Sequence, residues 1–331
     1  MRIAKKILLI IMVPFLAFSM LAFSGIHVAY QKVFSRADYN QYDTGKYLVY
    51  KDISSKYPRE AVTIDSGKNK LAGYIYGTEN SKGLIIISPG HRDPDDVKLY
   101  EIMYFVDAGW TVLCYDYTGC YNSTGGGMVG YTQSVADLDA VLRYAQTKKR
   151  FSKMPVMLFG HSLGAYASTA VLQYQHPVTA VAAASGFDDP VEQWEYSIEK
   201  YTGLFGALLK PYAKLYIDFR LGNKKGLTAM KGINSTKIPI LIVSGTKDEF
   251  YGGESKIFER RAHVTNPNCI FRLMTKKNHC GHYDYFLTDD SIEYRKQVDS
   301  GKVNSPVNKE LYMEHDKQFM NYINDFFTNA L

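Results

Sequence analysis

The first pattern in the chain is an uncharged one. Between Lys6 and Lys32 no Asp, Glu, Lys or Arg occurs, and Ile7 to Phe23 is almost wholly apolar behind Arg2, Lys5 and Lys6. A cationic start followed by an apolar run reads as a membrane-targeting segment. Two readings of residues 1–24 stand. One is a cleaved signal peptide, with small residues at minus three and minus one in Ala22-Phe23-Ser24, and the other is an uncleaved anchor. The run exceeds the usual signal-peptide core and barely reaches a bilayer span, while Pro14 would kink a spanning helix. A core helix would show a polar face, which this run lacks. Either reading keeps the cationic end in the cytoplasm and puts the remaining chain outside it. Residues 25–60 are polar and tyrosine-rich with weak periodicity, and read as a tether or an irregular N-terminal layer.

From Ala61 onward short apolar runs alternate with helical patterns. Strands are predicted at Ala61–Asp65, Leu71–Tyr76, Leu84–Ser88, Trp110–Tyr115, Pro155–Phe159, Val178–Ala184, Ile238–Ser244 and Cys269–Met274. Helices are predicted from Asp93 as N-cap, with Pro94, Asp95 and Asp96 in the first turn, to about Ala108, over 131–147, and from Leu163 to Gln173. Continuous aliphatic runs between helices predict an α/β fold, a mostly parallel sheet covered by helices on both faces. Residues 61–331 form that domain. The stretch 187–237 has no strand run and reads as an inserted helical cap. In it Leu204, Leu208, Tyr212, Leu215, Tyr216 and Phe219 recur at helical spacing, a stripe that packs on the main domain or lines a substrate pocket.

Composition narrows the function. The 331 residues are 46% hydrophobic and 22% charged, too apolar for disorder. Net charge is +6, and removing the three cations among the first six residues leaves +3 without a basic stripe, which disfavours a nucleic-acid partner. Cys114, Cys120, Cys269 and Cys280 are too few and too scattered for a disulfide scaffold, and Cys114 sits in a strand run as a buried thiol.

The motif that carries chemistry is Gly160-His161-Ser162-Leu163-Gly164, a G-x-S-x-G between a strand run and a helical run. A serine on such a turn is strained, and the positions two away must be small. The helix start also offers N–H groups to a developing oxyanion. With Asp116-Tyr117-Thr118-Gly119-Cys120-Tyr121-Asn122-Ser123, which is similar to a D-x-R-G-x-G-x-S segment but for Thr118 and Tyr121, residues 61–331 resemble an α/β-hydrolase of the esterase, lipase and aminopeptidase type.

That resemblance implies a Ser, acid, His order. Gly245-Thr246-Lys247-Asp248 after the seventh strand run resembles the G-x-x-D turn and makes Asp248 the acid, with Glu249 the adjacent alternative. Among the later histidines His263 and His315 fall in helical runs, so the base is His282 or His279. Gly281-His282 fits better because the family's histidine commonly follows a glycine. The oxyanion hole would use the backbone N–H groups of Leu163 and His91, the latter in Ser88-Pro89-Gly90-His91. The His91 imidazole reads as a polar loop side chain and His161 as packing. His279-Cys280-Gly281-His282-Tyr283-Asp284 also invites a metal reading, but the spacing matches no closed zinc set. The expectation is therefore an exported serine hydrolase acting on a small-molecule ester or a short peptide, without cofactor or metal, associated with the membrane through its N-terminal segment. The alternatives are an exopeptidase or amidase, and a non-catalytic surface-anchored binding module.

Overall fold

In the computed structural model the predicted runs form eight strands: β1 (Arg59–Ser66), β2 (Asn69–Tyr76), β3 (Leu84–Ser88), β4 (Thr111–Tyr115), β5 (Val156–His161), β6 (Ala180–Ala184), β7 (Ile240–Gly245) and β8 (Cys269–Met274). Residues 2–303 and 305–331 are described, apart from the side chains of 2–5, 7–9 and 41. The strands make one sheet in the order β1-β2-β4-β3-β5-β6-β7-β8, antiparallel at β1/β2 and β2/β4 and parallel from β4 onward. The helices of at least six residues are α1 (Arg2–Phe34), α2 (Leu99–Asp107), α3 (Gln133–Thr147), α4 (Leu163–Ala170), α5 (Pro190–Thr202), α6 (Gly206–Leu221), α7 (Ala229–Asn234), α8 (Asp289–Asp299) and α9 (Lys317–Thr328).

Both faces of the sheet are covered, which explains why the central strands read as unbroken apolar runs. Leu84 and Ile86 of β3 join Leu158, Val141 and Ala167 in one core layer. Ile85 and Ile87 point the other way and pack with Met157, Phe105 and Phe327. Strand period two thus divides β3 between two cores.

Three local readings differ from the structure. The helix expected to start at Pro94 is delayed: Asp95–Lys98 is a 3-10 turn and α2 begins at Leu99. Asp95 and Asp96 are buried against Arg59, with Asp95 2.7 Å from its guanidinium, rather than exposed in a helical first turn. The N-terminal helix does not end near residue 24 but runs unbroken through Pro14 to Phe34. Its last turns hold because Ala22, Ile26, Tyr30 and Phe34, spaced by four, are all buried. The irregular layer is therefore only Ser35–Pro58, which pairs with the loop after β4 through Ser35–Gly127 and Ala37–Cys120.

The segment between β6 and β7 holds three helices. α5 and α6 form an antiparallel hairpin, capped at Asp189, whose carboxylate accepts the N–H groups of Val191 and Glu192. α7 belongs to the main layer: Gly232 lies so close to α4 that a side chain there would strike the Thr169 carbonyl at 1.9 Å. The apolar stripe of α6 is split, part packed and part exposed, and does not line the pocket. Tyr212 and Tyr216 lie against α1, while Leu204, Leu208, Leu215 and Phe219 are exposed. Gly206, Ala213, Ile217 and Leu221 face inward instead.

Candidate active site

Ser162 occupies the turn between β5 and α4 with φ 56 and ψ −117, a strained conformation for a residue with a side chain. Its neighbours are glycine of necessity. A Cβ on Gly160 would meet the Gly164 carbonyl at 2.2 Å, and one on Gly164 would meet the Ser88 carbonyl at 2.0 Å. The second contact seats the elbow against the loop after β3, bringing Leu163 and the Pro89-Gly90-His91 loop together. Among the described residues no acceptor takes the amide N–H of His91 or of Leu163.

The other two elements lie at the ends of β7 and β8. Asp248 is fully buried, and its Oδ2 is 2.7 Å from His282 Nδ1. Its Oδ1 accepts the Phe250 N–H at 2.9 Å, which fixes the carboxylate. A carboxylate acceptor places the imidazole proton on Nδ1 and leaves Nε2 with a lone pair. Gly245 allows the approach of the two loops, since a side chain there would meet the carbonyls of Cys280 and Gly281 at 2.1 and 2.4 Å.

The alternatives separate cleanly. Glu249 binds the main chain of His282, accepting its N–H at 2.9 Å on Oε2, not its ring. His279 turns away, with Nε2 2.6 Å from Asp289 Oδ1. His263 is exposed, and His315 packs with Tyr283 and Glu101. His279 and His282 therefore bind separate carboxylates, and among the described residues no His, Cys, Asp and Glu group has a metal-binding arrangement.

Ser162 and Leu163 line a cavity of about 560 Å³, walled by His91, Trp194 and Phe250 and by Ala29 and Val33 of α1. The His91 imidazole is part of this wall, not a loop side chain in solvent: it packs on Phe34 and Tyr131, and burial lowers its pKa to about 4, so it is neutral. Phe250 covers one face of the His282 ring at 4.3 Å between centroids.

Comparison with known proteins agrees with this fold. Residues 79–232 match the family model described as serine aminopeptidase, S33. The mouse phosphatidylserine lipase ABHD16A is 26% identical over 145 residues, 44% of this chain and 24% of that protein, so the match spans about a quarter of the relative's length. The Pyrococcus furiosus esterase Pf2001 superposes with a TM-score of 0.56 at 17% identity, covering 85% of this chain and 95% of that one. Est1E from Butyrivibrio proteoclasticus gives 0.54 at 14% identity, covering 82% and 98%. The chain has the α/β-hydrolase fold.

Three residues around the site, His161, Glu249 and Lys200, do more than the sequence suggested. His161 ties the elbow to the loop after β8, with Nε2 2.9 Å from the His282 carbonyl. Its burial, reinforced by nearby His282, pushes its pKa well below the usual range, so the neutral ring donates Nε2–H. His161 and Glu249 thus hold the carbonyl and the N–H of the same residue. Lys200 of α5 donates to the Glu249 and Phe250 carbonyls at 2.8 and 3.3 Å, fastening the cap to the loop that carries Asp248. None of these contacts has a sequence signal, because each joins a side chain to backbone far away in the chain.

Proposed function

We propose that this α/β-hydrolase cleaves carboxylic esters through an acyl-enzyme on Ser162. The observation that carries the reading is the 2.7 Å hydrogen bond between buried Asp248 and His282, on loops tied to the strained Ser162 elbow. In this mechanism the Ser162 hydroxyl attacks the ester carbonyl while His282 Nε2 accepts its proton. The tetrahedral oxyanion is received by the N–H groups of His91 and Leu163, and collapse expels the alcohol with the proton returned by His282. Water, activated by the same imidazole, then releases the acid. Asp248 orients the ring and stabilises its charged form.

The cavity favours an ester over a peptide with a free amino end. Among the described lining residues Lys32, Arg92 and Lys200 are cationic and none is a carboxylate, whereas an aminopeptidase needs an anion for the substrate ammonium. The apolar remainder, including Trp194, Ile198 and Tyr251, suits an acyl chain. The relatedness to a phosphatidylserine lipase supports an amphiphilic ester as substrate.

The reading places the domain outside the cytoplasm on an uncleaved anchor. Residues 10–34 of α1 are long and apolar enough to cross a membrane. Ala22-Phe23-Ser24 lie within an unbroken helix, with Ala22 buried and Phe23 against Tyr212, which is a poor presentation for a peptidase. A fluorophosphonate probe tests the chemistry: it labels Ser162 in the wild type and nothing in Ser162→Ala, and an unlabelled folded wild type refutes the reading.

A further inference from the structure

The N-terminal helix does not stop where the catalytic domain starts. Along its first half Ile10, Ile11, Val13, Phe15 and Leu16 are exposed, and the helix projects free of the domain. From Phe18 onward it is flanked by the cap. Tyr212 touches Phe18 and Phe23 at 5.8 and 5.3 Å between centroids and is 3.0 Å from Ser19 Oγ. Tyr216 is 2.8 Å from His27 Nδ1, and Arg220 lies 4.8 Å over the Tyr30 ring. These contacts run in the same sense along the two helices, so α6 lies parallel to α1 with its first turn towards the free half.

Helix length makes this arrangement consequential. The free part before Phe18 covers about 24 Å at ~1.5 Å per residue, short of the ~30 Å hydrocarbon core. A span of about twenty residues starting after Lys6 ends near Ile26. The level of Phe18 and Phe23, and with it Tyr212, is then inside the outer leaflet. The start of α6 lies deeper still, and its side chains match that depth: Leu204, Phe205 and Leu208 are 98%, 70% and 59% exposed. Leu215 and Phe219 continue the apolar edge, and the unpaired apolar surface gives way to Arg220 and Lys224 near Tyr30, at headgroup level. The intervening cations are paired, Lys210 with Glu195 and Glu199 and Lys214 with Asp218. Contiguous exposed apolar surface of this kind is costly in water and expected in lipid.

We propose that the apolar edge of the α5–α6 hairpin is immersed in the same leaflet as α1, so that the cavity between the anchor and the cap admits its substrate laterally from the membrane. The occupant of the edge is the bilayer. The cavity wall supports lateral entry: Ala29, Lys32 and Val33 of the anchor face Lys200, Tyr201 and Thr202 of the cap. Those anchor residues lie roughly 5–10 Å above Ile26 by helix rise, the level of the ester linkages and headgroups. The anchor is therefore a wall of the substrate cavity and not merely a tether. Lateral entry rests on the ester-hydrolase reading; immersion of the edge does not.

The test uses the full chain reconstituted in phosphatidylcholine vesicles. Trp110 and Trp194 are both fully buried, so a tryptophan introduced at Leu204→Trp or Phe219→Trp reports its own surroundings. With acyl chains brominated near mid-chain, emission of Leu204→Trp is expected to fall at least two-fold further than that of wild type. Emission unquenched by bromolipid but quenched by aqueous iodide overturns the proposal, as does protection from both that appears only with a concentration-dependent dimer. In a second arm Leu204→Glu/Leu208→Glu is expected to hydrolyse a water-soluble short-chain ester as wild type does and a vesicle lipid ester at least ten-fold more slowly. Equal loss on both substrates, or on neither, overturns lateral entry. An enzyme inert towards both esters but quenched by bromolipid refutes the hydrolase reading and leaves the docking in place.

Discussion

At the residue scale the site is a set of constraints on three side chains. Ser162→Ala is expected to lower kcat by about a million-fold, and His282→Ala by a similar factor, since such groups act as a unit. His279→Ala is expected to keep most activity and to melt earlier, because His279 holds Asp289 at the start of α8. Loss of activity in His279→Ala with retention in His282→Ala reverses the assignment. Glu249→Gln keeps an oxygen that accepts the His282 N–H and is expected to be nearly silent, whereas Glu249→Ala is expected to lower kcat about ten-fold, the worth of one hydrogen bond. A matching change in KM alone speaks against this positioning role. Ser162 was legible because a G-x-S-x-G between a strand and a helix constrains local geometry. Asp248 and His282 were legible as candidates because they follow strands in the order implied by the resemblance. What separates them from Glu249 and His279 is which atom each carboxylate meets, a tertiary fact without a trace in spacing.

At the scale of elements the strand runs were legible because burial on both faces leaves little choice of residue, as β3 shows with five buried positions in five. The cap stripe and the last turns of α1 were misjudged for a common reason: their partners are each other. Tyr212, Tyr216 and Tyr30 look amphipathic in sequence and become interface residues only when two helices meet. This division predicts how substrate length is read. Each added methylene is expected to raise kcat/KM about four-fold, from ~0.8 kcal/mol of burial, until the cavity is filled. Trp194 lines that cavity, and its indole N–H is buried without an acceptor, so Trp194→Phe gives up no hydrogen bond. It is expected to move the preferred acyl length upward. Tyr212→Ala is expected to leave the length profile unchanged and lower the melting temperature, because Tyr212 serves the α1–α6 contact. A shifted profile in Tyr212→Ala contradicts this assignment. The anchor has its own check: an intact chain in the membrane fraction is expected, and a mature form beginning near Gly25 refutes it.

At the scale of the whole molecule, charge buried where the N-terminal layer meets the sheet makes stability depend on pH. Asp95, Asp96 and Asp116 surround one cation, Arg59, beneath Tyr50 and Tyr74. Burial raises the pKa of Asp96 to about 6 and of Asp116 to about 7, and that of Asp95 well above its ordinary value. A carboxyl whose folded pKa is raised holds its proton where the unfolded chain releases it. The folded state then binds more protons between about pH 4 and 7, and stability falls as pH rises through that window. On the acid side the sign reverses. Against the opposing effect of its own burial, Glu101 is held well below the usual range by Lys98 and His315, and hydrogen bonds from His279 and Lys276 lower Asp289 to about 2. Those contributions are present above about pH 4 and fade as the carboxylates protonate below it. Between about pH 4 and 7 the cluster therefore lowers stability as pH rises, against buried His91 and His161, which stay neutral where the unfolded imidazole is charged and so raise it. Asp96→Asn isolates the cause. Its amide oxygen can still accept the Tyr50 N–H that Asp96 Oδ1 takes at 3.1 Å, yet it removes one titrating carboxyl from the cluster. Relative to wild type, the variant is expected to gain melting temperature as pH rises from 4 to 7 and to keep the same acid limb, measured by calorimetry across that range. A difference between variant and wild type that stays constant from pH 4 to 7 would mean that Arg59 outweighs burial and keeps Asp96 ionised.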